Sequence, residues 1–289
     1  MKEILQKVRR IEIKIRRMVD RTFAGEYHAV FKGRGLEFDE VRPYQPGDDI
    51  RSIDWNVTAR NGELFIKKFR EERELTLLFL CDVSKSEDYG VGRENKLRVG
   101  TEIVALLAFS AMKNNDRVGL AVFTDHVEKY IPPRKGRNHI LKCISFLLSF
   151  KPEIKLTRLE PALDFVYRMM KRRGIIVIIS DFIDEKYERK LIQLHQKHEV
   201  ILIHLFHPGE THLPERGVVP LEDVESGTVK WIFLNALTHS REPEKVMVNR
   251  REELIRMCKK YKIDYLFINT QDEFIPVIER FFRERANRI

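Results

Sequence analysis

"LTLLFLCDVSKSEDYG", residues 75–90, decides how the rest of the chain is read. It begins as an unbroken apolar run and stops at Asp82. Two hydroxyls, Ser84 and Ser86, then follow two residues apart before a turn at Gly90. An apolar run without alternation marks a strand covered on both faces, as in a parallel sheet. A carboxylate and two serines at the end of such a strand have three readings. They hold a metal, accept a phosphoryl group on Asp82, or make a turn.

Further runs of the same kind are spaced along the chain. They are "RVGLAVF" (117–123), "GIIVIIS" (174–180), "VILIHLF" (200–206), "VKWIFLN" (229–235) and "IDYLFIN" (263–269). Helical stretches separate most of them, over 96–114, 137–149, 159–173, 186–198, 242–261 and 272–287. "VEKYIPP" (127–133) reads as a short antiparallel edge strand ended by two prolines. The pattern predicts a doubly wound, mostly parallel α/β domain over 75–289. Ahead of it stand an amphipathic helix (1–22), with Ile4, Leu5, Val8, Ile11, Ile15 and Val19 at helical spacing, and a charged, turn-rich, β-containing subdomain (23–74).

The 289 residues carry 53 Lys and Arg against 44 Asp and Glu, a net charge of +9. That excess favours anionic partners. It is densest at the two ends, in "KVRRIEIKIRR" (7–17) and "RFFRERANRI" (280–289), with no recognition motif beside it, so a nucleic-acid partner is not expected. Cys81, Cys143 and Cys258 share no metal-like spacing and read as free thiols of a reducing compartment. No run approaches the roughly 18 apolar residues of a membrane span, and the charged first residues are no signal peptide. The expected location is the cytoplasm.

Ligands of open α/β sheets bind beyond the carboxyl ends of the strands. Three stretches reach that rim: "CDVSKS" after the first strand, "LTRLEPAL" (156–163) at a helix start, and "SDFID" (180–184) after the central strand. Together they supply Asp82, Ser84, Ser86, Thr157 and Asp181, all oxygen donors. Mg²⁺ takes six hard oxygen ligands and keeps several waters. Three hydroxyls bound directly, with two carboxylates acting through water, suit it and leave the ion electrophilic toward a carboxylate from outside.

Asp82-x-Ser84-x-Ser86 followed by Thr157 and Asp181 resembles the metal-ion-dependent adhesion site of von Willebrand factor A-type domains. "KLRVGTEIVALLAFSAMKNNDRVGLAVFTD" (96–125) resembles that fold's first helix and second strand. The preceding "LEFDEVRPYQPGDDIRSIDWNVTARNGELFIKKFREERE" resembles the signature of the bacterial domain-of-unknown-function 58 family. The resemblance spans about residues 25–200. It implies an A-type domain that holds Mg²⁺ or Mn²⁺, binds an acidic residue of a protein partner, and works beside MoxR-type AAA+ ATPases. Many relatives carry membrane helices, which this sequence lacks. Three residues depart from the wider pattern. Glu87 replaces a small or apolar residue, Phe182 follows Asp181 where glycine is common, and Lys85 adds a cation between the serines.

Competing readings attach to other residues. A haloacid-dehalogenase-like phosphatase would use Asp82 as nucleophile but wants a second Asp where Ser84 stands. "HLFHPGETH" (204–212) suggests zinc through His204, His207 and His212, with His195 and His198 upstream, yet offers no clear fourth ligand. The crowded "RPYQPGDDIRSIDWNVTAR" (42–60) reads as an Arg–Asp network around Tyr44 and Trp55, or as a docking surface. "GVGREN" (90–95) lacks the Lys and Ser/Thr of a phosphate loop. The expected role is that of a binding adaptor without enzymatic activity.

Overall fold

The computed structural model describes residues 2–19, 36–71, 74–84, 87, 95–150, 157–184, 186–210, 217–222, 229–234 and 242–287. The chain divides into two compact units, one formed by Met1–Val30 and Thr76–Ile289, the other by Phe31–Leu75.

In the larger unit the amphipathic helix α1 (Lys2–Met18) comes first. It buries Val8, Ile11 and Ile15, with Val19 just beyond its end, matching the spacing in the sequence. In the smaller unit β1 (Leu36–Pro43) pairs antiparallel with β2 (Phe65–Glu71), with a bulge between Phe38 and Glu40. Between them lie a 3₁₀ turn at Ile50–Ser52 and the short helix α2 (Trp55–Asn61). Asp49 caps the turn, and Asp54 caps α2 by accepting from the N–H groups of Asn56 and Val57. Gly62, at φ 77°, ends α2 in the left-handed region that favours glycine.

The expected ion-pair network there is smaller than the sequence suggested. Arg42 holds Asp48 in a bidentate pair, at 2.9 and 2.7 Å, and this keeps the Asp48 carboxyl below its ordinary range. Asp49 and Asp54 serve as caps, Asp54 also pairing with Lys67 at 3.5 Å, and Trp55 is 67% exposed rather than enclosed. The difference is physical: an aspartate before a helix has backbone N–H groups at hand and needs no arginine.

The remaining elements of the larger unit are β3 (Thr76–Asp82), α3 (Lys96–Lys113), β4 (Arg117–Phe123), β5 (Val127–Arg134), α4 (Arg137–Ser149), α5 (Leu159–Met169), β6 (Ile175–Ser180) and α6 (Glu188–Lys197). They continue with β7 (Glu199–Phe206), β8 (Gly217–Glu222), β9 (Val229–Leu234), α7 (Glu242–Tyr261), β10 (Asp264–Asn269) and α8 (Phe274–Ala286). Six strands form one sheet in the order β10-β7-β6-β3-β4-β5. All neighbours are parallel except the edge strand β5, which runs antiparallel to β4. This is the doubly wound, mostly parallel sheet that the sequence predicts, and β3 and β6 lie side by side at its centre.

Helices cover both faces, which is why the central strands read as unbroken apolar runs. On one face Leu78, Leu80, Ile176, Ile178 and Leu202 pack with residues of α5, α6 and α7. On the other, α3 lies across β3, β4 and β7, with α4 and α1 beside it. Glu12 of α1 accepts two hydrogen bonds from Arg137 of α4, at 2.6 and 2.8 Å, and Lys14 donates to Glu102 of α3 at 2.7 Å.

One run goes elsewhere. "VKWIFLN" does not join the sheet: β9 pairs antiparallel with β8 in a separate two-stranded ribbon. An apolar run declares a strand, not its neighbour. Its partner "GVVPLE" carries Pro220, which weakens the strand pattern in the sequence.

Candidate metal centre at the carboxyl end of the sheet

Asp82 is the last residue of β3 and Ser180 the last of β6, so the parallel pairing of these strands brings both to one rim. Asp82 is 3% exposed. One of its oxygens accepts from the Ser84 N–H at 2.9 Å, the other from the Ser180 hydroxyl at 2.8 Å. The Ser180 oxygen in turn accepts the Phe182 N–H at 3.0 Å, which fixes the backbone beyond β6. Asp181 closes a similar small turn, accepting from the Ile183 N–H at 3.1 Å. Between them Phe182 adopts φ 55°, a conformation suited to glycine. The wider pattern's glycine at this position has a backbone reason, and here a buried phenylalanine bears the strain.

The five residues singled out in the sequence divide as follows. Asp82, Ser84 and Asp181 are buried together at the rim. Thr157, half-buried, immediately precedes the segment that starts α5. That segment is tied to the rim at two points: the Arg158 N–H donates to the Thr124 carbonyl at 2.8 Å, and the Leu159 N–H to Asp184 Oδ2 at 2.7 Å. Asp184, in the "SDFID" stretch, is thus a clasp between the Thr157 and Asp181 loops. Ser86 and Lys85 lie outside the described residues, as do His212 and residues 90–94 of "GVGREN".

Three further residues enter the centre. Glu87 is 1% exposed, and one carboxylate oxygen each from Asp82, Glu87 and Asp181 lie within 4.8 Å of one another. Lys96, fully buried at the first position of α3, sets its ammonium 2.9 Å from Asp181 Oδ2, 2.6 Å from Glu210 Oε1 and 3.9 Å from Glu87 Oε1. Lys96 had one signal in the sequence: a cation in the first turn opposes the helix dipole. Glu210 lies within "HLFHPGETH", among histidines that are the more evident metal ligands of that stretch. His204 donates to or accepts from the Tyr265 hydroxyl at 2.9 Å inside β7, and burial pulls its pKa down to about 4. His207 accepts the Gly209 N–H at 3.0 Å in the following turn and is buried, not solvated.

The charges are unequal. Among the described residues, Asp181, Glu210 and Glu87 share one ammonium, that of Lys96, and Asp82 stands beside Asp181 and Glu87. Burial, then the neighbouring Asp181, pushes the Asp82 carboxyl up to about 7. Burial also raises Glu87 well above its usual range, and raises Glu210 against the opposing pull of Lys96. For Lys96, burial works to lower its pKa, but Asp181, Glu87 and Glu210 together raise it, so it stays charged. Among the described residues the Glu87 Oε1 atom accepts no hydrogen bond. A buried set of hard oxygen donors with negative charge in excess, and one orphaned oxygen, fits a divalent cation.

A family model described as "Protein of unknown function DUF58" matches residues 40–253. Uncharacterized protein Rv1480 of Mycobacterium tuberculosis is 28% identical over 282 residues, which cover 96% of this chain and 88% of that protein. Uncharacterized protein YeaD of Bacillus subtilis is 29% identical over 99 residues, 34% of this chain and 23% of YeaD. Among solved structures, the conserved hypothetical protein BatB of Bacteroides thetaiotaomicron superposes with a TM-score of 0.48 at 16% identity, covering 74% of this chain and 99% of BatB.

Proposed function

This chain belongs to the DUF58 family, and from its A-type sheet and rim we propose that it is a protein-binding adaptor whose divalent-cation site engages an acidic residue of a partner. The observation that carries the reading is the meeting of Asp82, Glu87 and Asp181 within 4.8 Å at the carboxyl end of the sheet. Ser84, Ser86 and Thr157 would hold Mg²⁺ or Mn²⁺ directly, and Asp82 and Asp181 would hold it through water. When bound, the ion supplies a positive centre for a carboxylate from outside. The chain's own part is to orient the donors: Ser180 fixes Asp82, and Asp184 joins the two loops that carry Thr157 and Asp181. The partner system includes a MoxR-type AAA+ ATPase, and the setting is cytoplasmic. No helix among the described residues is long and apolar enough to cross a membrane.

The phosphatase alternative needs Asp82 ionised and open to a substrate. Here it is 3% exposed and both of its oxygens already accept hydrogen bonds, from Ser84 and Ser180, a poor posture for a nucleophile.

Calorimetric titration with Mn²⁺ tests the site. The Ser84→Ala/Ser86→Ala double variant loses metal binding while keeping its circular dichroism spectrum; retained affinity overturns the assignment. Capture of partners from the native lysate, with Mg²⁺ and then with EDTA, tests the adaptor role. An ATPase or acidic client held only with Mg²⁺ supports it, and the same partners under both conditions move the interaction away from the rim.

A further inference from the structure

Lys96 departs from what an ordinary helix-start lysine does. Its side chain is 0% exposed, although lysine is the residue best able to reach water. A buried ammonium is tolerated only when paired, and this one is paired several times over, with Asp181, Glu210 and, at longer range, Glu87. Its three carboxylates come from three separate loops, after β6, after β7 and after β3. Two of them, Glu210 and Glu87, lie outside the five-residue set proposed to hold metal. Asp181 lies inside it. A narrow cleft lined by Asp82, Glu87, Lys96, Gly100 and Thr101 adjoins the group. Gly100, one turn further along α3, lets the helix approach the sheet closely, since a Cβ there would meet Leu205 Cδ1 at 3.3 Å.

The geometry points to Lys96 as a tethered counter-ion that competes with the divalent cation for Asp181. Without metal, its ammonium neutralises Asp181. With metal, the ammonium gives up Asp181 and rests on Glu210 and Glu87, whose Oε1 atom has no other hydrogen-bond donor among the described residues. The ammonium itself keeps its protons, because it has three donors and can exchange one carboxylate for another by rotating its stem. Like charges repel, so the ammonium in its present place lowers metal affinity, and Glu210 is the residue that lets it withdraw. The inference rests on the metal site proposed above, and it turns that site from a permanent socket into one that opens by exchange.

The test is Mn²⁺ titration of the whole chain by calorimetry, on the wild type, Lys96→Met, Glu210→Gln and the Lys96→Met/Glu210→Gln double variant. The double variant keeps the net charge, so a fold that Lys96→Met alone disrupts is still accessible. Removing the ammonium is expected to tighten Mn²⁺ binding by roughly tenfold, within the usual range of coupling between two sites. Glu210→Gln alone is expected to weaken it, because the ammonium then has less reason to leave Asp181. A second readout is independent of affinity: in EDTA, Lys96→Met melts below the wild type, and Mn²⁺ abolishes the difference. Adding Ser84→Ala to the double variant must abolish the gained affinity. Equal affinity with and without Lys96 overturns the counter-ion role and leaves the metal site standing. Absence of binding in every variant overturns both. Binding seen only once Lys96 is removed supports the counter-ion role in its strongest form.

Discussion

The Ser180 hydroxyl lies 2.8 Å from Asp82 Oδ2 and receives the Phe182 N–H on its other side, so one oxygen joins the ends of the two central strands. Hydroxyls can donate and accept at once, and a buried carboxylate needs the donor.

Ser180→Ala should therefore cost about 1–3 kcal/mol, the usual effect of leaving a buried acceptor unmet. Urea denaturation measures it. The Ser180 bond also lowers the Asp82 pKa, so its loss should move that carboxyl further up. Carbon-detected NMR titration of Asp82 reads this directly, and an unmoved pKa would show that Ser180 matters only for packing.

The pH dependence has a definite sign. Asp82 is raised to about 7 in the folded chain, against an ordinary unfolded value of about 3.9. A raised carboxyl stabilises the fold fully below its unfolded pKa, and that contribution is lost as pH rises through the folded one. Glu87, also raised, acts in the same direction. The metal-free protein should thus lose melting temperature between about pH 4 and pH 7, and Asp82→Asn should flatten the slope. Mn²⁺ affinity should run the opposite way, rising as Asp82 ionises. Parallel trends in the two curves would contradict the account.

Phe182 separates backbone strain from packing. Its ring packs at 5.7 Å from His204 and 6.3 Å from Tyr187, and it is 5% exposed. Truncating a buried phenylalanine to alanine costs about 3–5 kcal/mol. The left-handed backbone at φ 55° costs a non-glycine residue about 1–2 kcal/mol, which glycine avoids. Both Phe182→Ala and Phe182→Gly should destabilise, with glycine the milder by about 1 kcal/mol. Equal losses in denaturant would mean that the strain is negligible.

The sheet was legible because its central strands are buried on both faces and so carry unbroken apolar runs that end abruptly at Asp82 and Ser180. Register and neighbours were not. "VKWIFLN" looks like a sheet strand, and only tertiary pairing with a proline-bearing partner takes it elsewhere. At the rim, Asp82, Ser84 and Asp181 announced themselves as polar groups at strand ends. Lys96 offered only the weak sign of a cation in a first turn, since "NKLR" otherwise resembles any solvated helix start and its partners at 87, 181 and 210 converge only through the fold. The left-handed conformation at 182 was equally hidden, since nothing in a phenylalanine declares a positive φ.

The larger unit is interrupted in sequence, with residues 31–75 forming a compact unit of their own between α1 and the sheet. That arrangement orders assembly in time. The β1–β2 pair closes across a short span, Pro43 to Phe65, and bears little loop entropy. Helix α1 must wait: its Glu12 meets Arg137 across 125 positions, and Lys14 meets Glu102 across 88. Contacts of such long range come late in folding. During synthesis the inserted unit can be native while α1 still lacks the surface it covers, so the apolar stripe of Val8, Ile11 and Ile15 emerges before its partners exist and needs shielding until they do.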